Sequence, residues 1–348
     1  MALSICFVGC GEYAKDVLDQ IDAGKPEGLA VEGIELYFAS RGAEKARQFC
    51  ETYGGVGYFG SYEEAAADPR VDALYFLTPH HLHLEGAQLA AKHGKQVLME
   101  KPIGRYPDEA RVLIETVRAA GLTLMVAENF RFVPTVLKAK ELIAEGAIGD
   151  VRLVQVQREL DVFTGGVFGS ADNFAADEWR NDPDKAGGGL FQDGGIHDVD
   201  AMVNLGGMPT TVYAVVPTGD SDRAERHQED GMVVTGTTAE GTIGLIQFSF
   251  ATPIQGYRDN VWVTGSAGML SFATFGTEVT VDTPEGSRVI DTGPHRKGMA
   301  GIFEEFRDAV AEGREPLMSG RAALNDLNVV MAAYESVKAG QVAVVASD

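Results

Sequence analysis

The chain has 348 residues, too many for one ordinary hydrophobic core, so two domains are expected. With 29 basic against 51 acidic residues the formal charge is −22, which argues against a nucleic-acid or anionic-membrane surface. No apolar run comes near the ~20 residues of a membrane helix, and the three cysteines, Cys6, Cys10 and Cys50, form neither a CxxC pair nor a spaced metal set.

Residues 3–8 (LSICFV) read as a short buried strand. They lack the basic flank of a secretory signal, and the expected compartment is the cytoplasm. The strand runs into Gly9-Cys10-Gly11-Glu12-Tyr13-Ala14, a GxGxxA turn, and then into a helical pattern with Ala14, Val17, Leu18 and Ile21 on one side. Strand, glycine turn and helix in this order make a dinucleotide fingerprint. The glycines permit the tight turn and let the backbone approach a pyrophosphate, which the helix N-terminus favours. Gly9, Gly11, Glu12, Tyr13 and Ala14 are therefore candidate cofactor contacts.

An NAD site expects an acidic residue at the end of the next strand, 34–39, to bind the ribose 2′-hydroxyl. Here Ser40-Arg41-Gly42 stands instead. A hydroxyl and a guanidinium suit a 2′-phosphate that a carboxylate would repel, so NADP is expected, with NAD the alternative. A surface arginine that simply starts a helix at 43–50 is the bland counterpart.

Strand signals at 56–59, 73–77, 96–100 and 122–127 alternate with helical ones at 62–67, 84–93 and 108–120. That alternation predicts a parallel doubly wound sheet, with ligands beyond the carboxyl ends of its strands. Thr78-Pro79 and Glu100-Lys101-Pro102 fall at two such ends. Lys101 could hydrogen-bond a reacting hydroxyl there and stabilise its developing alkoxide; a solvated lysine is the commoner fate. His80, His81 and His83 are consecutive loop histidines, which rarely converge as zinc requires, so no metal is expected. His83 reads as a cofactor-edge or structural residue.

The period changes after Ala127. A helix at 134–145 precedes alternating strands at 151–157, 211–216, 231–237, 241–250, 260–264, 268–272, 278–283 and 287–291. The pattern suits a mostly antiparallel sheet with one covered face. Helices at 302–312 and 320–338 close the chain. The expected domains are 1–127, binding the dinucleotide, and 128–348, an α+β domain for substrate and oligomer contacts. Within it, 187–200 reads GGGLFQDGGIHDVD. Three glycines suit a close backbone approach to a ligand. Helical spacing would put Asp193, His197 and Asp200 on one face, where the carboxylate orients the imidazole and raises its basicity. A capped helix with a satisfied surface histidine would carry the same letters.

Collected in order, these motifs resemble the Gfo/Idh/MocA oxidoreductase family over nearly the whole chain. The likeness rests on Gly9-Cys10-Gly11 with Ala14, Thr78-Pro79 with His83, and Glu100-Lys101-Pro102. It rests also on Asn129 and Arg131 with Pro134, Trp179-Arg180 leading into 187–200, and Gly256 with 265–270. It implies an N-terminal Rossmann domain and a C-terminal domain with a large open sheet, whose face forms homodimers or homotetramers. By position, Lys101 matches the lysine of the family's EKP motif, and Asp193 and His197 match the acid and histidine of its GGGxxxDxGxH motif. The resemblance implies that these three are catalytic and that the bond before Pro102 is cis. Asn129 and Arg180 are further candidate cofactor contacts. Ser40-Arg41 departs from the acidic residue, as is common among NADP-using members, and the 22–33 loop is longer than usual.

The expected activity moves hydride between the nicotinamide and a secondary alcohol or ketone of a sugar, cyclitol or related polyol. Lys101 would polarise the hydroxyl, His197 move its proton and Asp193 orient the pair. Gln157, Asn173 and Arg180 could reach a polyol's other hydroxyls. One rival is a hydrolase or epimerase that keeps its cofactor and returns the hydride, with no net change in nicotinamide absorbance. The other is a non-catalytic sugar or cofactor sensor, which has no need of Lys101, Asp193 and His197 together.

Overall fold

The computed structural model describes residues 2–25, 29–161, 179–217, 229–252, 254, 256–294 and 298–347. The chain forms two compact units, Met1–Asn129 with Gly298–Leu324, and Phe130–Lys297 with Asn325–Asp348.

In the first unit β1 (Leu3–Val8) is buried at all six positions, as a strand covered on both faces must be. It lies at the centre of a parallel sheet with β2 (Ile34–Ala39), β3 (Gly57–Phe59), β4 (Ala73–Phe76), β5 (Gln96–Met99) and β6 (Leu124–Val126). The strand order is β3-β2-β1-β4-β5-β6, and every neighbouring pair is parallel. Helices α1 (Glu12–Gln20), α2 (Ala43–Thr52), α3 (Tyr62–Ala67), α4 (His83–His93) and α5 (Pro107–Ala119) link the strands. The order reverses between β1 and β4, and a doubly wound sheet receives its ligand beyond the carboxyl ends of the strands at that point.

The composition shift at Ala127 leaves 298–324 with the second half of the sequence, but the structure returns this stretch to the first unit. Aromatic packing is the cause. In α9 (Met299–Glu312) the buried Ile302, Phe303 and Phe306 recur at helical spacing. Phe303 stacks on Phe7 of β1 at 5.9 Å and meets Tyr75 of β4 edge-on at 5.7 Å. Such pairs contribute ~1 kcal/mol each beyond the apolar area they bury.

The second unit carries a nine-stranded sheet. Its strands are β7 (Val151–Leu160), β8 (Pro209–Val215), β9 (Gly231–Thr238), β10 (Ile243–Ser249), β11 (Tyr257–Gly265), β12 (Met269–Ala273), β13 (Glu278–Thr283), β14 (Gly286–Asp291) and β15 (Ala343–Val344). They run in the order β14-β13-β12-β11-β7-β10-β9-β8-β15. All neighbours are antiparallel except β7 and β10. The two-residue β15 is too short to leave a periodic signal in the sequence. Along β7 the buried Val154, Val156, Arg158 and Leu160 alternate with half-buried Leu153, Gln155, Gln157 and Glu159. The buried face packs against α8 (Ile196–Gly206), and α6 (Pro134–Ala144) packs against β12 and β13. The short α7 spans Pro183–Ala186, and the last helix is α10 (Gly320–Ala339). Among the described residues no helix is long and apolar enough to cross a membrane.

Candidate active site

In the first unit the glycine turn follows β1 directly. Gly9 has φ +110°, and a Cβ there would stand 2.8 Å from the Leu77 carbonyl oxygen. A side chain is excluded by backbone shape and by strand packing together. Gly11 differs. It precedes the first residue of α1 with no side chain capping the helix, and a Cβ there would meet nothing within 4 Å. The space beside Gly11 is thus open, next to amide groups that a helix start leaves unbonded. A pyrophosphate fits this donor set. Glu12 turns to Lys15 at 2.6 Å, Tyr13 is exposed, and Ala14 is buried in the unit's core.

Ser40 and Arg41 follow β2 and precede α2, another helix whose start carries no side-chain cap. Arg41 is exposed. Its charge also reaches Tyr62 of α3, whose phenol burial pushes up and Arg41 draws back down.

Thr78 and Pro79 lie beyond β4, and Glu100, Lys101 and Pro102 beyond β5. The Lys101–Pro102 bond is cis, as the resemblance implied. His83 is fully buried between these two strand ends. Its Nδ1 lies 3.0 Å from the Pro102 carbonyl oxygen and its Nε2 3.0 Å from that of Thr78. Burial, with His80 nearby, depresses its pKa to about 3, so the ring is neutral. Whichever oxygen takes its single N–H, the imidazole bridges the two loops. Its place is therefore behind the strand ends, where it supports them and presents no surface to a cofactor.

Glu100 is also internal. The Tyr75 hydroxyl donates to one of its carboxylate oxygens and the Lys101 N–H to the other at 3.2 Å. Burial raises its pKa to about 7 against these hydrogen bonds. Asn129, just past β6, is buried as well. Glu100 and His83 thus shape the loops that carry Lys101 and Thr78, the structural one of the two readings offered for His83.

In the second unit Asp193 lies in a π-helical turn, Phe191–Gly195, and His197 in the first turn of α8. The wider π-turn breaks the α-helical phase on which a shared face for Asp193, His197 and Asp200 depends. Each of the three side chains meets a partner outside the set. Arg180 Nε donates to Asp193 Oδ2 at 2.9 Å. The His197 ring stacks on Phe130 at 4.1 Å with the planes 8° apart. Asp200 is fully buried and paired with Arg131, whose Nε also lies 3.4 Å from its Oδ2. Asp200 thus takes part in the packing of α8.

The glycine run is also explained from within. A Cβ on Gly188 would run into Gln192 Oε1, and one on Gly189 into Glu229 Oε2. The space beside both glycines is filled by this chain's own side chains. Phe191 N–H donates to Glu229 Oε1 at 2.8 Å, and Gly189 N–H donates to the Tyr334 hydroxyl at 3.0 Å.

Gln157 lies on the sheet face opposite Arg158 and α8, where Asn260 Nδ2 donates to its Oε1 at 3.5 Å and its own Nε2 donates to Glu159 at 3.2 Å. The structure therefore does not bring Gln157 together with His197. Asn173 lies outside the described residues. Phe130, by contrast, stacks on His197 without any sequence signal, and Arg158 and Asp198 are joined to it in turn. The Arg158 guanidinium sits 4.3 Å from the Phe130 centroid and donates from Nε to buried Asp198 at 2.7 Å.

Residues 3–128 match the model for an oxidoreductase family with an NAD-binding Rossmann fold, and residues 136–271 match the GFO/IDH/MocA C-terminal domain. The chain belongs to the Gfo/Idh/MocA family. This Gfo/Idh/MocA protein is accordingly an oxidoreductase with an NAD(P)-binding Rossmann domain. It is 30% identical to a D-xylose 1-dehydrogenase (NADP(+)) of Haloferax volcanii over 344 residues, 95% of each chain. A trans-1,2-dihydrobenzene-1,2-diol dehydrogenase of Oryctolagus cuniculus is 31% identical over 79% of this chain and 81% of its own. Among solved structures, a levoglucosan dehydrogenase in complex with NADH superposes with a TM-score of 0.84 over the whole of both chains at 24% identity, a likeness of fold.

Proposed function

We propose that the protein is an NADP-dependent dehydrogenase that interconverts a secondary alcohol and a ketone on a sugar, cyclitol or related polyol. The observation that carries the cofactor reading is Ser40-Arg41 at the end of β2, where a carboxylate would exclude a 2′-phosphate. The D-xylose and dihydrodiol dehydrogenases to which the chain is similar support a polyol-like substrate. Gly9, Gly11 and the start of α1 would hold the pyrophosphate. Thr78, Pro79 and Lys101 would border the nicotinamide, which when bound takes or returns a hydride.

The proton is moved by this chain's own groups. Lys101 donates a hydrogen bond to the reacting oxygen and stabilises negative charge on it, and His197 takes the hydroxyl proton or returns it. Asp193, fixed by Arg180 at 2.9 Å, sets the local charge of the His197 turn. Arg180 would also reach a substrate hydroxyl.

We place the protein in the cytoplasm as a homodimer or homotetramer joined through the outer face of the second unit's sheet. Trp262 and Gln155, partners across β11 and β7, and Leu245 on β10 are half-buried on that face even in the single chain. Light scattering of Trp262→Glu should then show dissociation to monomers.

The deciding assay follows nicotinamide absorbance with a panel of polyols and keto-sugars, using NADP and NAD. Lys101→Ala and His197→Ala should each lower kcat by ~10²- to 10⁴-fold, the range of general acid–base catalysis, while cofactor binding survives. Arg41→Ala should erase the preference for NADP. Normal turnover in either catalytic variant, or an unchanged preference in Arg41→Ala, refutes the corresponding assignment.

A further inference from the structure

We infer that Phe130 is the positioning residue for the His197 imidazole, an inference that rests on the reading of His197 as the proton-moving group. A histidine side chain has a broad χ2, so the ring of a lone histidine on a helix sweeps a wide range of orientations. A parallel stack at 4.1 Å and 8° removes that freedom. It does so through the ring's flat face. The nitrogens act at the edge, in the ring plane, so stacking fixes the plane in which they act without using their hydrogen-bonding capacity.

Phe130 is itself held on several sides. It is 4% exposed, and Phe275 meets it edge-on at 4.7 Å and 80°. The Arg158 guanidinium lies 4.3 Å from its centroid. Arg158 is 2% exposed and is anchored by Asp198, the residue next to His197 in α8. The contacts close a loop: His197 to Phe130, Phe130 to Arg158, Arg158 to Asp198, and back along the helix to His197. An aliphatic side chain would fill the same space. A flat ring fixes the plane of an imidazole as an aliphatic chain cannot, and a cation gains from lying over that ring's face.

The test compares Phe130→Leu, Phe130→Tyr and His197→Ala in the full-length enzyme with NADP and its best polyol. Phe130→Leu should lower kcat by about 10²-fold, the usual effect of a misplaced catalytic group, with KM for both substrates nearly unchanged. Phe130→Tyr, which keeps the ring, should restore kcat to within about tenfold of wild type. Phe130→Met repeats the comparison if Phe130→Leu does not fold. A second readout is independent of turnover. The imidazole carbon-bound protons of His197, assigned by their loss in His197→Ala, should resonate upfield through the Phe130 ring current and move downfield in Phe130→Leu or Phe130→Met. Wild-type kcat in the ring-less variants, an equal loss in Phe130→Tyr, or an unmoved His197 resonance overturns the inference. Normal turnover in His197→Ala instead overturns the role of His197 on which it rests, and the resonance still decides whether the stack exists in solution.

Discussion

The Tyr334 hydroxyl donates to Glu229 Oε1 at 2.7 Å, and the two side chains together hold three backbone amides ahead of the His197 turn. Glu229 takes Phe191 N–H, while the phenol oxygen accepts from Gly189 at 3.0 Å and Gln192 at 3.2 Å. A helix start buried here would otherwise leave these donors unbonded. Tyr334→Phe removes one oxygen and strips two amides and a buried carboxylate of a partner. Each loss costs ~1–3 kcal/mol, so urea unfolding should show a destabilisation of several kcal/mol. A midpoint unchanged from wild type would show that water replaces the hydroxyl.

Two buried groups in the first unit should give opposite pH slopes. Burial lifts Glu100 from its usual 4.5 to about 7, so between those values the folded chain holds the extra proton and stability falls as pH rises. His83 is depressed from 6.5 to about 3, so in its window the unfolded chain holds the extra proton and stability rises with pH. The two slopes oppose each other between 4.5 and 6.5. Glu100→Gln should therefore leave a stability that climbs with pH to 6.5, and His83→Gln one that falls towards 7, each by on the order of 3 kcal/mol. Urea titrations of both variants across the window check this. Parallel curves in the two variants would contradict it.

Gly9 and Gly11 should separate folding from binding. Gly9→Ala forces a side chain onto φ +110° and against the Leu77 carbonyl, a strain of ~1–3 kcal/mol that lowers the melting temperature. Gly11→Ala meets nothing in the protein and should melt as wild type does. Its methyl group would stand where a pyrophosphate approaches the turn, so cofactor titration should show affinity reduced by about tenfold or more. Equal affinity in Gly11→Ala would place the phosphates elsewhere.

Arg158 and Asp198 should be costly to separate and cheap to replace together. Arg158→Met or Asp198→Leu alone deprives a buried charge of this partner, a loss of ~3–5 kcal/mol, whereas the double variant should lie close to wild type in stability. A double-mutant cycle in urea measures the difference. Additive losses would mean that the two charges are not coupled.

The sequence was most legible where one period runs long. The alternation of strands and helices up to Ala127 predicts the parallel order seen around β1, and period two predicts the mostly antiparallel second sheet. Gln157 obeys the same rule. Val154 and Val156 are apolar, so Gln155 and Gln157 must face the other way. What stayed hidden depends on distant partners. The reason for Gly188 and Gly189 lies in Glu229 and Tyr334, and the fate of Asp200 in Arg131, 69 residues away. The π-turn at Asp193 also has no letter code, since the same residues at the same spacing read as an α-helix.

The return of α9 to the first sheet has a consequence for synthesis. Phe7 and Tyr75 leave the ribosome early, but Phe303, which covers them, is made more than two hundred residues later. The nascent dinucleotide-binding half must carry a patch of bare aromatic surface throughout that interval, a natural target for a holding chaperone.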